Sequence, residues 1–211
     1  MPFRLPRDAR LVRFPSTDGL QLEGRLTVAD PSRSVVLCHP HPLYGGSMLT
    51  PVILTAEQAF QEAGWTTLAF NFRGVGGSEG THGEGKAEVA DVEGALACLV
   101  ETLGGGSPSL AVAGYSSGSR VGGQVAASDP RVGFYLGIAP TVNLYDFGFL
   151  RAARCRIALI AGTHDQFCDR TKLEALVASL PAKPWLRWLD TDHFFTDAFD
   201  ALAAACRAAL T

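Results

Sequence analysis

Leu110-Ala111-Val112-Ala113-Gly114-Tyr115-Ser116-Ser117-Gly118 runs from an unbroken apolar stretch through a serine bracketed by glycines. It leads into a segment rich in small residues: Gly118, Gly122, Gly123, Ala126 and Ala127. A short continuous apolar run suits a strand covered on both faces. Small residues allow a following helix to lie close against it. The stretch therefore reads as strand (110–114), sharp turn, helix (117–127).

The same alternation extends in both directions. Upstream, 35–38 is a second unbroken apolar run and should be a central parallel strand. A helix follows with Ser47 as its candidate N-cap, ending at Gly64, then a strand over 66–72 and a helix over 87–103 that ends at Gly104. Downstream, strands are expected at 134–139, 157–161 and 185–189, with helices at 173–180 and 195–210. At the front, runs 10–14 and 20–28 are joined by Ser16-Thr17-Asp18-Gly19, and Asp-Gly between extended runs signals a hairpin. Strands alternating with helices imply an α/β fold: a mostly parallel sheet with helices on both faces and an antiparallel N-terminal hairpin. No linker or repeat divides the chain, so one domain is expected over all 211 residues.

The pattern G-x-S-x-G occurs twice, at 114–118 and at 76–80, and in a chain with 23 glycines the bare pattern is weak. Context separates the two. Ser116 follows a buried strand and precedes a helix, the setting that lifts a serine hydroxyl above the carboxyl edge of a sheet. Ser78 sits in Arg73-Gly74-Val75-Gly76-Gly77-Ser78-Glu79-Gly80-Thr81-His82-Gly83, with no helix directly behind it, and reads as a turn residue.

A serine hydroxyl is a poor nucleophile near neutrality. It needs a general base, and the base needs a third group to fix its tautomer. Of five histidines only His164 and His193 follow Ser116. His193 lies between the last strand and the last helix and is the candidate base. Asp165, just past strand 157–161, is the candidate acid, with Asp169, Asp190 and Asp192 as rivals. Asp192 is the weakest of these, since adjacent side chains seldom converge on one point.

Composition excludes several other classes. Eighteen Lys+Arg against 21 Asp+Glu, with no basic run, disfavour nucleic-acid binding. No apolar stretch approaches the roughly 18 residues that span a bilayer. Residues 1–14 place four arginines among prolines and lack the apolar core of an export signal. Five widely spaced cysteines without a CxxC pair read as reduced thiols, so a cytoplasmic location is expected. His39-x-His41 lacks a third ligand at recognisable spacing, so no metal is expected. Gly80-x-x-x-x-Gly85-Lys86 has Ala87 where a phosphate loop needs Ser or Thr. Cys38 and Cys168, near the proposed site, read as packing residues.

The order Ser116, Asp165, His193 resembles the nucleophile, acid and base order of the α/β-hydrolases, and the resemblance covers nearly the whole chain. Asn71-Phe72-Arg73-Gly74-Val75-Gly76-Gly77-Ser78 resembles the loop many members carry before the elbow strand. His39-Pro40-His41-Pro42-Leu43-Tyr44-Gly45-Gly46 resembles a segment of small lid-less bacterial members described only as predicted hydrolases or esterases. In the wider family this place is His-Gly followed by a residue whose amide binds the oxyanion. Here Pro40 replaces the glycine, and neither Pro40 nor Pro42 has an N–H. His41 and Leu43 remain as donors, and matching by position favours His41. Ser117 would supply the second amide.

The resemblance implies hydrolysis of small carboxylic esters through an acyl-enzyme, with no cofactor. A thioesterase or a small peptidase or amidase is the alternative, because the same constellation cleaves those bonds. A non-catalytic ligand-binding protein on the same fold is the rival outside enzymes. Only 17 residues separate Ala139 from Ile157, too few for a lid domain. The aromatic stretch 142–150 should form a short flap or helical turn beside the mouth, with plain packing on the body as the alternative. Phe147 and Phe149, with Leu43, Tyr44, Tyr115, Phe194 and Phe195, would line an open apolar acyl site. Oligomeric state is not legible in the sequence.

Overall fold

The computed structural model describes residues 8–104 and 109–211; part of the N-terminal stretch on which an export signal was sought lies outside them. Eight strands form one sheet: β1 (Arg10–Pro15), β2 (Gln21–Thr27), β3 (Asp30–Cys38), β4 (Trp65–Phe70), β5 (Ser109–Tyr115), β6 (Val132–Ile138), β7 (Arg156–Gly162) and β8 (Trp185–Leu189). Their spatial order is β1-β2-β4-β3-β5-β6-β7-β8. β1 pairs antiparallel with β2, and β2 antiparallel with β4, while every pairing from β4 to β8 is parallel.

The apolar run at 35–38 occupies the middle of the sheet because both of its faces are covered. Val35 and Leu37 belong to the core that α1 (Pro51–Glu62) and α5 (Phe199–Ala209) cover. Val36 and Cys38 point the other way, toward α2 (Glu88–Thr102) and α3 (Ser117–Ser128), and α4 (Arg170–Ala178) joins that layer through Leu173. The period-2 alternation of a strand thus divides one run between two cores. A buried ion pair ties the connections of the second layer together. Arg73, in the loop after β4, reaches Asp91 of α2 at 2.7 Å and Asp18 of the hairpin turn at 2.9 Å.

Several element boundaries differ from the sequence reading: β3 starts at Asp30 rather than Val35 and α4 spans Arg170–Ala178 rather than 173–180, and three further differences have a visible local cause. α1 starts at Pro51 with Thr50 as N-cap, not at Ser47. The proline has no N–H to leave unsatisfied and a φ already suited to the first helical position. β4 stops at Phe70, where Asn71 turns away to accept the Met48 amide on its side chain. α5 begins at Phe199 rather than Phe195. Phe195 and Asp197 have φ of 56° and 54°, and the Asp192 carboxylate gathers the amides of Phe194 and Thr196 into a turn. Among the described residues no helix is long and apolar enough to cross a membrane.

Candidate active site

The turn between β5 and α3 places Ser116 at φ 55°, ψ −123°, a conformation that disfavours side chains. It is held there by close backbone packing on both sides. A Cβ on Gly114 would lie 2.3 Å from the Gly118 carbonyl oxygen, and one on Gly118 would lie 2.3 Å from His39 O and 2.4 Å from Cys38 O. Only glycine fits at either place. The Ser116 N–H donates to Ile138 O at the end of β6, and its carbonyl accepts from Ser119 N and Oγ. The backbone of Ser116 is thereby anchored and its hydroxyl is left for other use.

That hydroxyl meets His193. His193 Nε2 lies 2.9 Å from Ser116 Oγ, and Nδ1 lies 2.8 Å from Asp165 Oδ2. A carboxylate only accepts, so Nδ1 carries the proton and Nε2 is the acceptor for the serine. Both partners are buried: His193 is 3% exposed and Asp165 7%. The second Asp165 oxygen accepts the Phe167 amide, and Tyr115 Oη donates to the His193 carbonyl. The rings of Phe167, Phe194 and Tyr115 surround the imidazole at centroid distances of 4.8, 5.4 and 5.5 Å.

The rival carboxylates are occupied elsewhere. Asp169 caps α4 by accepting the Lys172 amide, and Asp190 meets His164 at 2.9 Å. Asp192 holds the turn after His193. Hydrogen bonds from the Thr196 amide and hydroxyl keep its carboxyl below the usual carboxylate range.

The loop 39–46 closes the site opposite His193. His39 is fully buried. Its Nε2 accepts the Phe72 amide and its Nδ1 donates to Pro40 O, so both nitrogens are engaged and neither is free for a metal. Burial holds its pKa down to about 4. Among the described residues no group of three or more candidate ligands gathers. The Leu43 amide donates to His41 Nδ1, and the His41 carbonyl accepts from Tyr44 and Gly46. Pro40 and Pro42 have no N–H, and of the two amides considered for the oxyanion the one on Leu43 is engaged within the loop. The loop that mimics a phosphate cradle is filled by the protein itself: the Gly83 and Gly85 amides donate to the Glu88 carboxylate. Cys38 and Cys168 are buried thiols, and desolvation raises the pKa of Cys168 to about 12.

A cavity of about 570 Å³ opens over Ser116 and His193. Tyr44, Tyr115 and Phe194 line it, together with the backbone-bearing residues His41 and Ser117. Four of the expected lining residues lie elsewhere. Phe147 is 2% exposed within the core beside α3, and Phe149 packs against the same core where Gly123 leaves room for its ring. Leu43 faces a separate groove bounded by Gly74, Gly76 and Gly80. Phe195 is fully buried under α5. Thr141, Leu144, Tyr145 and Phe167 take the vacated places in the wall. Phe167 stands two residues after Asp165, a proximity that could have found it. For Thr141 the sequence carries no signal.

No protein-family model matches the chain. The uncharacterized Rickettsia prowazekii protein RP471 is 33% identical over 195 residues, 87% of this chain and 81% of that one. ATU1826 of Agrobacterium tumefaciens, a protein of unknown function ascribed to the alpha/beta hydrolases, is 32% identical and superposes with a TM-score of 0.89 over 95% of this chain and 94% of its own. An alpha-beta serine hydrolase homologue from Coxiella burnetii is 26% identical, TM-score 0.86, with 99% of each chain covered. XC6422 of Xanthomonas campestris, an a/b serine hydrolase without a lid, is 27% identical, TM-score 0.85, over 98% of this chain and 95% of that one.

Proposed function

Since this chain belongs to the α/β-hydrolase superfamily, we propose that it is a serine esterase that cleaves small carboxylic esters through an acyl-enzyme. Ser116 Oγ attacks the ester carbonyl while His193 Nε2 takes its proton. Asp165 holds Nδ1 and stabilises the imidazolium that forms. The amides of His41 and Ser117 bind the oxyanion. Collapse of the tetrahedral intermediate expels the alcohol, protonated by His193. A water, deprotonated by the same imidazole, then releases the acid and frees Ser116.

The observation that supports this reading is His193 bridging Ser116 and Asp165, at 2.9 and 2.8 Å, beside an open cavity lined by aromatic rings. Residues 139–155, the whole connection from β6 to β7, hold one short 3-10 turn and no lid. Each methylene buried by an acyl chain contributes about 0.8 kcal/mol, and beyond the cavity that gain stops. Short acyl chains of roughly four to eight carbons are therefore the expected optimum.

A fluorophosphonate probe followed by peptide mapping tests the chemistry. The expected result is one adduct on Ser116, absent from Ser116→Ala, with turnover of short phenyl esters. An unmodified protein, or an adduct on another serine, overturns it. Preference for emulsified long-chain esters would contradict the short-acyl reading.

A further inference from the structure

The wall of the Ser116 cavity has two properties that ester cleavage alone does not use. First, none of its residues is Asp, Glu, Lys or Arg. A substrate carrying a carboxylate or an ammonium group would lose hydration there with no charged side chain in the wall to pair with, the Arg120 guanidinium lying outside it against the Tyr145 ring at 5.0 Å. Second, one of its hydroxyl groups has no partner. Thr141 is 2% exposed, and its Oγ1 is covered from solvent with no hydrogen bond from the protein. The neighbouring hydroxyls differ from it. Tyr115 Oη donates to His193 O, Ser116 Oγ meets His193, and Thr50 Oγ1 accepts from Ser47 N. Tyr44 is 88% exposed and Tyr145 37%, so water can reach them.

The unmet hydroxyl cannot be relieved by a shift of its backbone. The Thr141 carbonyl accepts the amides of both Leu144 and Tyr145, and three residues earlier Ile138 O holds the Ser116 N–H. A rotation about χ1 exchanges the hydroxyl and the methyl of threonine and needs no backbone movement. A buried hydroxyl left unpaired is destabilising, and a native protein that keeps one in a site wall calls for a partner outside the protein.

We infer that Thr141 is a specificity-determining residue whose hydroxyl pairs with an oxygen on the acyl group. The substrate class is then neutral esters whose acyl part carries a hydroxyl or carbonyl in addition to the ester. The inference rests on the reading of Ser116 as the nucleophile. A site built to hydrogen-bond a substrate oxygen rejects the analogue lacking it far more strongly than a purely apolar pocket distinguishes one methylene.

The test compares phenyl esters of butyric, 2-hydroxybutyric, 3-hydroxybutyric and 4-oxopentanoic acids, with the phenyl half-ester of succinic acid as the charged member. Wild type, Thr141→Val and Thr141→Ser are assayed. For wild type, kcat/KM for at least one oxygen-bearing neutral ester should exceed that for butyrate by about tenfold or more, with the succinate half-ester poorest. Thr141→Val should lose that ratio and Thr141→Ser should keep it. The valine variant should melt no lower than wild type, since its methyl has no hydrogen bond to miss. A structural role would lower all esters together and leave the ratio standing, which overturns the inference. So does a wild type that prefers butyrate or the succinate half-ester. Failure of Ser116 to take the fluorophosphonate label overturns the hydrolase reading and this inference with it. Labelling without discrimination among the esters overturns this inference alone.

Discussion

At 114–118 and at 76–80 the chain presents the same five-residue pattern in two different physical settings. In the first, glycines are demanded by backbone: Cβ atoms on Gly114 and Gly118 would strike the carbonyl oxygens of Gly118, His39 and Cys38. In the second, Gly76 and Gly80 take left-handed φ of 56° and 80°, and the atoms that Cβ groups on Gly76 and Gly77 would meet are the Glu23 carboxylate oxygens, at 2.2 and 2.5 Å. The serines differ accordingly. Ser78 Oγ donates to Asn71 O and accepts the Glu23 amide, spending its hydroxyl on joining its loop to β2. Ser116 is fixed through its own N–H and carbonyl, and its hydroxyl faces only His193. A serine is free for chemistry when its backbone carries the structure.

The largest expected difference between the two is in turnover. Ser116→Ala should lower kcat by roughly 10⁴ to 10⁶, the residual rate coming from binding and the oxyanion donors. Ser78→Ala should stay within about threefold of wild type, its hydroxyl being distant from bond making. Steady-state assays on a short phenyl ester decide this, and an inactive Ser78→Ala would reverse the comparison.

Next in size is the support behind Ser116. Asp165→Asn keeps the shape of the site but favours the wrong His193 tautomer, and by analogy with serine proteases should cost about 10⁴ in rate. Asp192→Asn loosens the turn that carries His193 and should cost about tenfold or less. Equal losses in kcat from the two variants would mean that Asp165 acts only by holding the loop.

The βα alternation was legible because each central strand is buried on both faces and reads as an unbroken apolar run. The juxtaposition of Ser116, Asp165 and His193 was legible for a related reason. Ser116 and Asp165 follow such runs, β5 and β7, and His193 follows the edge strand β8; a parallel sheet brings those carboxyl ends to one edge. The cavity wall was not legible. Whether Phe147 or Tyr145 faces Ser116 depends on a 3-10 turn at Gly148–Ala152 and on the hollow that Gly123 leaves for Phe149. Both are consequences of packing between segments far apart in sequence. The start of α5 was missed for a similar reason. Phe195 has helical company in the sequence, but the Asp192 carboxylate competes for the amides that would open the helix.

The glycines sharpen the comparison through stability. Gly118→Ala places a methyl against the rigid end of β3, with oxygens at 2.3 and 2.4 Å, and should cost about 3 kcal/mol or more, or yield no folded protein. Gly77→Ala meets the far end of the flexible Glu23 side chain, which can move, and should cost about 1 kcal/mol. Urea unfolding of both variants measures the contrast. A mild Gly118→Ala would mean that the elbow is looser than its distances imply.

The smallest effect has opposite signs at the two serines. Ser116 sits at φ 55°, where a side chain costs on the order of 1–3 kcal/mol that glycine avoids. Glycine in turn gives the unfolded chain about 0.5–1 kcal/mol of extra conformational freedom. The balance favours Ser116→Gly being about 1 kcal/mol more stable than Ser116→Ala, which removes the same hydroxyl and keeps the strain. At Ser78 no such strain exists. Ser78→Ala strands Asn71 O and the Glu23 amide, and each buried polar group left unpaired costs about 1–3 kcal/mol before loop relaxation recovers part of it. A net loss of about 1 kcal/mol is expected for Ser78→Ala relative to wild type. Thermal and urea unfolding of the three variants in one buffer read both signs. If Ser116→Gly gained nothing over Ser116→Ala, the elbow would store no strain. The free hydroxyl of Ser116 would then owe nothing to a backbone held against its preference.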